Sequence, residues 1–540
     1  MRQFLDRLIL LLRTVVWLKP VQIYSRVWMR LYRPNPRRID GAVVSLSPDC
    51  WQAIPRKSSM TGPDRFTFLN RTETLGRAED WNAGHLPKLW LYNAHYFDDL
   101  VASGAAERSD WHRKLILRWI AENPAGVGNG WEPYPTSLRI VNWTKWLLSA
   151  NPAVDGMLQS LATQADWLSS RLEYHLLGNH LFANAKALVF AGCVLDGPDA
   201  ARWLKTGLRL LNREMKEQIL PDGGHFERSV MYHAILTEDV LDLVQIGAMY
   251  PSKIPQSTAT GWRSQASGML NYLDAMTHPD GRIAFFNDGA FGIAPEPAAL
   301  SRHAQCLGID VQTDAKAIRP FDQTGYTRLV CGQAVLLTDT APIGPGYLPG
   351  HAHADTLSFE FSLGGQRIFV NGGTSVYGGD VRQRHRERST ANHNTLCLDG
   401  QNSSEIWSDF RVARRAKASH VRYGETEGSV WIEGQHDGYR RIGGPVHKRR
   451  WELTETSLTV HDQLDHTGHG AKAYFRIHPD LQATPDGITS PRTLQIRATG
   501  GTLSIEDGTW SPEFGKVLPC KMLVLSLSDL ASSVTFTWEP

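Results

Sequence analysis

The sequence predicts a multidomain chain of α+β class, a helical array or toroid followed by an antiparallel β-sandwich. Three observations carry that reading. From about residue 85 to residue 300 apolar residues recur with the 3.6-residue period of helices, and after about residue 320 they alternate with a period of two. Between the two lies a Pro-rich stretch, AFGIAPEPAAL, running into SRHAQCLGIDVQTDAKAIRPFDQ, that reads as a connector. The expected division is an N-terminal amphipathic segment at 1–45, a helical domain at 46–318 and a sandwich at 319–540. Two large domains imply a cleft between them, a common place for an active site.

The first segment, MRQFLDRLILLLRTVVWLKP, has the look of a signal peptide because LILLL follows Arg2 and Arg7. Arg13 interrupts the apolar run, however, and no small-x-small cleavage site follows. The run is also short of the roughly 18 residues that span a bilayer. An amphipathic helix docked on the protein, or weakly on a membrane, is expected, with no integral span. The chain is therefore expected to be soluble, cytoplasmic or membrane-peripheral, with the periplasm left open. In SDWHRKLILRWIAENP, Trp111, Leu115 and Trp119 form a helical stripe, with Ser109 or Asp110 as N-cap and Pro124 as the stop. TSLRIVNWTKWLLSANP repeats the plan with Ile140, Trp143 and Leu147, ending at Asn151-Pro152. Further helices are read at ADWLSSRLEYHLL, NHLFANAKALVFAG, DAARWLKTGLRLLNREMKEQIL and SVMYHAILTEDVLDLVQIGAMY. So many helices on short turns fit a toroid better than a four-helix bundle. In TLSFEFSL, Leu357, Phe359, Phe361 and Leu363 alternate with Ser358, Glu360 and Ser362, and Gly364-Gly365 turns the chain. SVWIEG, RRWELTE, SLTVHDQL, AYFRIHP, LQIRA and MLVLSL extend the strand pattern into an antiparallel sandwich.

With 57 basic and 55 acidic residues the net charge is only +2, which argues against a general nucleic-acid binder. The six cysteines contain no CxxC pair, so neither a zinc ribbon nor a disulfide framework fits. Eighteen tryptophans supply core residues and, in a cleft, platforms for sugars.

Four constellations hold chemistry-bearing residues. Asn179 and His180 open the helix of GNHLFANAKAL, where an N-capping Asn and a surface His are the plain alternative. In PDGGHFERSVMYHAI, a helix that already included His225 would put His225, Arg228, Ser229 and Tyr232 on one face. GHAHAD carries His351, His353 and Asp355 two apart, so an extended backbone would present all three on one side. The basic run from Arg382 to Arg388, with Arg411, Arg414 and Arg415, is either a solvated face or an attractor of an anionic polymer. Weaker signals for a sugar-binding lining are Tyr92, Asn93, His95 and Tyr96 in LWLYNAHYFDDL, and Trp131, Tyr134 and Arg139 in WEPYPTSLRIVNW. Asn287 and Asp288 in FFNDGA join them.

Taken together, these pieces resemble the heparinase II/III-type polysaccharide lyases. The resemblance rests on LYNAHYFDDL, WEPYPTSLRIVNW, GNHLFANAKAL, DGGHFERSVMYH, FNDGA, GHAHADTLSFEF, FVNGGTSVYG and RSTANHNTLCLDGQNSSEIW, in family order. It implies an N-terminal (α/α) toroid, a C-terminal antiparallel β-sandwich and β-elimination at a uronic acid of an anionic polysaccharide or oligosaccharide. In that resemblance Asn179, with His180 beside it, meets the uronate carboxylate, and Tyr232 and His351 are the catalytic acid/base pair. Tyr232 would protonate the glycosidic oxygen and serve as base for one uronate epimer, which requires neighbours that lower its pKa. Tyr92, Asn93, His95, Trp131, Tyr134, Arg139, His225, Arg228, Asn287 and Asp288 are the expected substrate-binding residues. His353 and His393 match two metal-binding positions, but Asn371 stands at the third, commonly Asp; the site is expected to hold a structural zinc ion or to be a hydrogen-bonded brace instead, and no organic cofactor is implied. The alternatives are a glycoside hydrolase using Glu227 and Asp288, and a non-catalytic polysaccharide-binding accessory protein. The sequence is silent on oligomeric state.

Overall fold

The computed structural model describes residues 2–311, 314–490 and 492–539. Helices α1 (Arg2–Val15) and α2 (Pro20–Leu31) open the chain and bend by 114° at their junction, where Pro20 starts the second helix. A small hairpin, Arg65–Phe68 with Arg71–Thr74, precedes the helical domain.

That domain comprises α3 (Lys88–Tyr96), α4 (Ser109–Glu122), α5 (Pro133–Leu148), α6 (Met157–Ser170), α7 (Gly178–Val194), α8 (Pro198–Gln218), α9 (Val230–Met249), α10 (Gln256–Ala275) and α11 (Pro297–Cys306). α7 and α9 are apolar around most of their circumference and buried to match, so they form the inner layer. α8 buries one stripe, including Trp203, Leu210, Leu211 and Met215, and lies outside α7. The two approach closely: a Cβ on Gly207 would lie 2.7 Å from the Ala185 carbonyl oxygen. Three expectations need correction. α6 ends at Ser170, before most of the LEYHLL stretch, which is turn. α4 is preceded by a 3₁₀ turn, so its N-cap is Arg108 rather than Ser109 or Asp110. α10 was not expected because the first half of QSTATGWRSQASGMLNYLDA is polar and rich in Ser, Thr and Gly.

The sheet domain opens at Ile318 with a five-stranded antiparallel meander, 318–321, 326–331, 334–339, 359–363 and 366–369. An eight-stranded and a four-stranded antiparallel sheet complete the sandwich around Phe359, Phe361, Trp451, Phe475 and Phe536. The alternation of TLSFEFSL is real, but its polar side does not meet water. Glu360 accepts from His278 Nε2 at 2.9 Å and from the Phe285 amide at 3.0 Å, and Ser362 pairs with His278 Nδ1 at 2.7 Å. Burial pushes the Glu360 carboxyl up to about 7, opposed by Arg367. The polar face of that strand is thus glued to the helical domain. Tyr326, Val335, Val370, Trp510 and Phe514 likewise join the core of the helices.

Candidate active site

The site forms where four backbone strains meet. Leu177, Arg228, Asn287 and Leu357 all take positive φ, between 57° and 67°, and each lies within two positions of a residue singled out in the sequence. Non-glycine residues rarely adopt this conformation, and such strain concentrates at functional sites. Ser229 caps α9 by accepting from the Tyr232 amide, and its hydroxyl donates to the Asp288 carbonyl. Tyr232 is thereby fixed in the first turn of α9, next to the Asn287–Asp288 loop. The helix begins only at Val230, so His225, Arg228, Ser229 and Tyr232 do not share a helical face. His225 is fully buried beside Gln218, and Arg228 turns away to the Thr324, Gln323 and Phe226 carbonyls.

GHAHAD is turn and loop rather than strand, and the one-face expectation fails for that reason. Instead the two histidines converge on one carboxylate. Asp288 Oδ2 accepts from His351 Nδ1 at 2.9 Å, and Oδ1 accepts from His353 Nε2 at 2.8 Å. Arg384, on helix α12 (Val381–Arg388), grips both oxygens, and Thr374 adds a hydroxyl. Burial alone would raise Asp288, but Arg384 and the histidines hold it well below the usual carboxylate range. Asp355 accepts from the Asn287 amide and braces the loop.

His351 lies flat on Tyr232, with ring centroids 3.7 Å apart and planes 27° apart. The Tyr232 hydroxyl donates to Tyr377 Oη at 3.3 Å, which in turn stands 3.4 Å from His351 Nδ1. With Nδ1 committed to Asp288, His351 Nε2 is the nitrogen left for chemistry, 3.6 Å from Glu227 Oε2. Glu227 is buried with neither oxygen in a well-formed hydrogen bond, and burial raises its pKa against the pull of His351, His180 and the nearby Asn179 amide. Burial also drives the Tyr232 phenol well above its ordinary value, and the nearby Asp288 charge adds to this. The shift runs opposite to the expected lowering of Tyr232 and favours the protonated phenol.

Asn179 is the second residue of α7, whose N-cap is Leu177, and it is partly exposed. His180 pairs with the buried Glu173 at 3.1 Å, and its ring lies 4.5 Å from that of Tyr134, tilted by 39°. Burial opposes its charge, but Glu173 prevails and raises the His180 pKa. Tyr134 continues through Tyr96 to Tyr92, which donates to Glu132. Asn93, also partly exposed, bonds its own helix at the Leu89 carbonyl.

Several expected lining residues are framework instead. His95 is fully buried between the Trp81 carbonyl and the Trp119 indole, Trp131 donates to the Asn123 carbonyl, and Arg139 lies 3.7 Å over the Trp119 ring. Asn287 holds the Arg228 carbonyl and the His353 amide. None of these four has surface to offer a sugar. The basic run was expected on the surface or facing a polymer; Arg384 and Arg388 are fully buried, and Arg388 ties the Ala352 carbonyl to those of Ser408, Asp409 and Arg411. Tyr377, Arg384, Glu173 and the role of Glu227 escaped sequence reading. Tyr377 lies inside the FVNGGTSVYG segment, Arg384 inside the basic run and Glu227 inside DGGHFERSVMYH, but none of these signals pointed to the contact it makes.

His353 Nδ1 and His393 Nε2 face each other at 3.0 Å, and His393 Nδ1 contacts the Ser389 carbonyl at 2.8 Å. The chain from Ser389 to Asp288 has acceptors at both ends and needs three protons, whereas two neutral imidazoles bring two. Burial pushes His353 to about 4 and His393 to about 3, so the middle contact is short of a positive charge. A small cation fits that gap by donor type, and the outward N–H bonds resemble those that orient metal-bound histidines. The third ligand does not fit: Asn371 Oδ1 accepts from the Asn394 amide, and no group of three His, Cys, Asp or Glu suited to a metal exists among the described residues.

Two family models match this chain, "Heparinase II/III N-terminus" over residues 118–295 and "Heparinase II/III-like, C-terminal" over residues 313–539. The chain belongs to the heparinase II/III family. Heparin-sulfate lyase of Pedobacter heparinus is 26% identical over 358 residues, 61% of this chain and 52% of that protein. FtsZ-localized protein C of Caulobacter vibrioides is 25% identical over 428 residues, 73% of this chain and 70% of that one. This heparinase II/III-type chain spans about half the length of the first curated lyases it matches. Its fold is that of heparinase III, with a TM-score of 0.67 at 17% identity over 96% of this chain and 85% of that one. A heparan sulfate lyase from Pedobacter heparinus gives 0.61 at 19% identity, over 96% and 88% of the two chains. The toroid-plus-sandwich expectation is borne out.

Proposed function

We propose that this protein is a polysaccharide lyase that cleaves a uronic-acid-containing anionic polysaccharide by β-elimination. The observation that carries the reading is the His351–Tyr232 stack, with Asp288 fixing the histidine by its Nδ1. His351 Nε2 takes the C5 proton, the C4–C5 double bond forms, the C4–O bond breaks, and Tyr232 gives its proton to the departing oxygen. A base with one nitrogen anchored to a carboxylate and an acid kept protonated by burial are the two groups this reaction needs. Both stand on one wall, which favours syn elimination. A C5 carbanion next to an ionised carboxylate is far too basic, so that carboxylate must be neutralised. In this reading Asn179, His180 and the first amides of α7 would meet it there, with Glu173 favouring the charged form of His180. Tyr92 and Tyr134 would carry neighbouring sugars. Because relatives are named heparin-sulfate lyases, heparan-type uronates head the substrate panel.

A hydrolase would need two free carboxylates. Asp288 is committed to Arg384 and two histidines, which leaves Glu227 alone. A non-catalytic, polymer-binding role is the second reading, favoured by the relative named for its location rather than for a reaction. Assaying heparan sulfate, alginate, hyaluronan and bacterial exopolysaccharides for the ultraviolet absorbance of unsaturated uronate separates all three. Reducing ends without that absorbance mean hydrolysis, and binding without either means an accessory protein. We further propose that any zinc ion here is structural, held by His353 and His393 without Asn371. Zinc titration calorimetry on the intact chain and on His393→Ala tests this: equal binding by both overturns it.

A further inference from the structure

The N-terminal hairpin presents a surface unlike any other part of the molecule. Of 25 large apolar residues exposed in the described structure, 15 fall between Phe4 and Tyr32, including Leu12 at 58%, Trp28 at 55% and Leu31 at 77% exposure. Residues 4–38 carry eight basic side chains and one acidic one, although the whole chain has 57 and 55. Arg7, Arg26, Arg30 and Arg33 are exposed and make no ion pair among the described residues.

The inner side of the hairpin is tied down at the rim of the cleft. Trp407 donates to Thr14 at 3.0 Å, Arg13 pairs with Glu405, and Gln22 donates to the Tyr347 carbonyl at 3.3 Å. Tyr347 lies four residues before His351. At the base of α1 a cavity of about 370 Å³ is lined by Arg13, Trp17, Arg414, Arg415, Arg440 and Arg441, with Asp437 the only acid there. Arg415 has no carboxylate partner, and its Nε and Nη2 are buried without a hydrogen bond.

We propose that α1 and α2 form an interfacial docking element for an anionic lipid bilayer, seating the rim of the cleft on the membrane. Among the described residues no single helix is long and apolar enough to cross a membrane; α1 and α2 reach that length and apolarity only together, and their 114° bend with arginines spaced along both suits a pair lying in the interface. Apolar side chains enter the acyl boundary, the free arginines meet headgroup phosphates, and the arginine-lined cavity takes one more. The charge excess favours this occupant over a second copy of the same basic face.

The test is flotation of the full chain with vesicles of phosphatidylcholine alone or with one third phosphatidylglycerol. The anionic vesicles should carry about tenfold more protein, and high salt should erase most of the difference. Leu12→Glu with Trp28→Glu removes flotation, and Arg26→Ala with Arg30→Ala weakens it on anionic vesicles only. All these side chains are exposed, so unchanged thermal melting certifies the fold. Equal flotation on both vesicles, or a Leu12→Glu/Trp28→Glu variant that floats like the parent, overturns the proposal. So does a dimer by sedimentation that this variant dissolves while the parent ignores vesicles.

Discussion

Two buried histidine pairs, each leaning on an aspartate–arginine ion pair, lie within the sheet domain and at its border with the helices. Beside Asp462 and Arg449, the Gly438 amide donates to His436 Nδ1. His436 Nε2 then donates to His447 Nδ1 at 3.3 Å, and His447 Nε2 to Asp462 at 2.6 Å. Two neutral imidazoles close that chain with no proton missing or left over. The pair beside Asp288 and Arg384 ends on acceptors at both sides, lacks one positive charge, and shares its carboxylate with a third histidine whose Nε2 stays available. The closed network also supports the open one, because Arg449 Nη1 holds the Leu357 and Asn394 carbonyls next to the site loops. The same residue types therefore build a network where every hydrogen bond is matched beside Asp462, and one where a proton is missing beside Asp288.

The largest effect should come from removing the acid at the open network. Tyr232→Phe is expected to lower turnover by ~10²–10⁴-fold, with little change in melting, when unsaturated product is followed by its absorbance. Full activity in that variant would end the acid assignment. Next in size, Asp462→Ala should destabilise the fold by ~3–5 kcal/mol in denaturant unfolding, because Arg449 is left buried and unpaired. Asp288→Ala should show a comparable loss of stability and, in addition, loss of turnover; if the two variants behaved identically, the distinction between brace and site would fail. Acid extends the test. Burial opposes the charge on Asp462, but Arg449 and His447 hold its pKa below the unfolded value. Its contribution is thus present above about pH 4 and is lost as pH falls towards the folded value. Unfolding midpoints of the parent should fall with acid more steeply than those of Asp462→Asn.

The comparison also shows what a sequence can disclose. The change of period near residue 320 located both domains because burial of one face writes itself into residue spacing. Tyr232, His351 and Asn179 were singled out through motif resemblance, and the structure brings Tyr232 and His351 together in one ring stack. Arg384 was not legible: inside RQRHRER it is indistinguishable from its solvated neighbours, and only tertiary folding brings it to Asp288, 96 positions away. His95 and Arg139 misled in the opposite sense, since polar groups among aromatics suggest a sugar platform and here satisfy one another in the core. GHAHAD hid its arrangement because a loop, unlike a strand, imposes no periodicity on its side chains.

The smallest expected effect sharpens the other half of the site. Burial opposes the charge on His180 but Glu173 raises its pKa, so its cationic form should persist to higher pH than an ordinary imidazolium and be lost as pH climbs through that raised value. If the cation neutralises the uronate, turnover should decline over the same window. Glu173→Gln removes the partner that outweighs burial, and the alkaline limb of the pH–rate profile should move to lower pH while the acid limb stays. The structural contact from Asn184 survives through the Gln amide oxygen, so stability is a weak readout here and the profile is the decisive one. An unmoved alkaline limb would leave Asn179 and the α7 amides as the whole carboxylate site. A shifted limb would assign the second charge to His180.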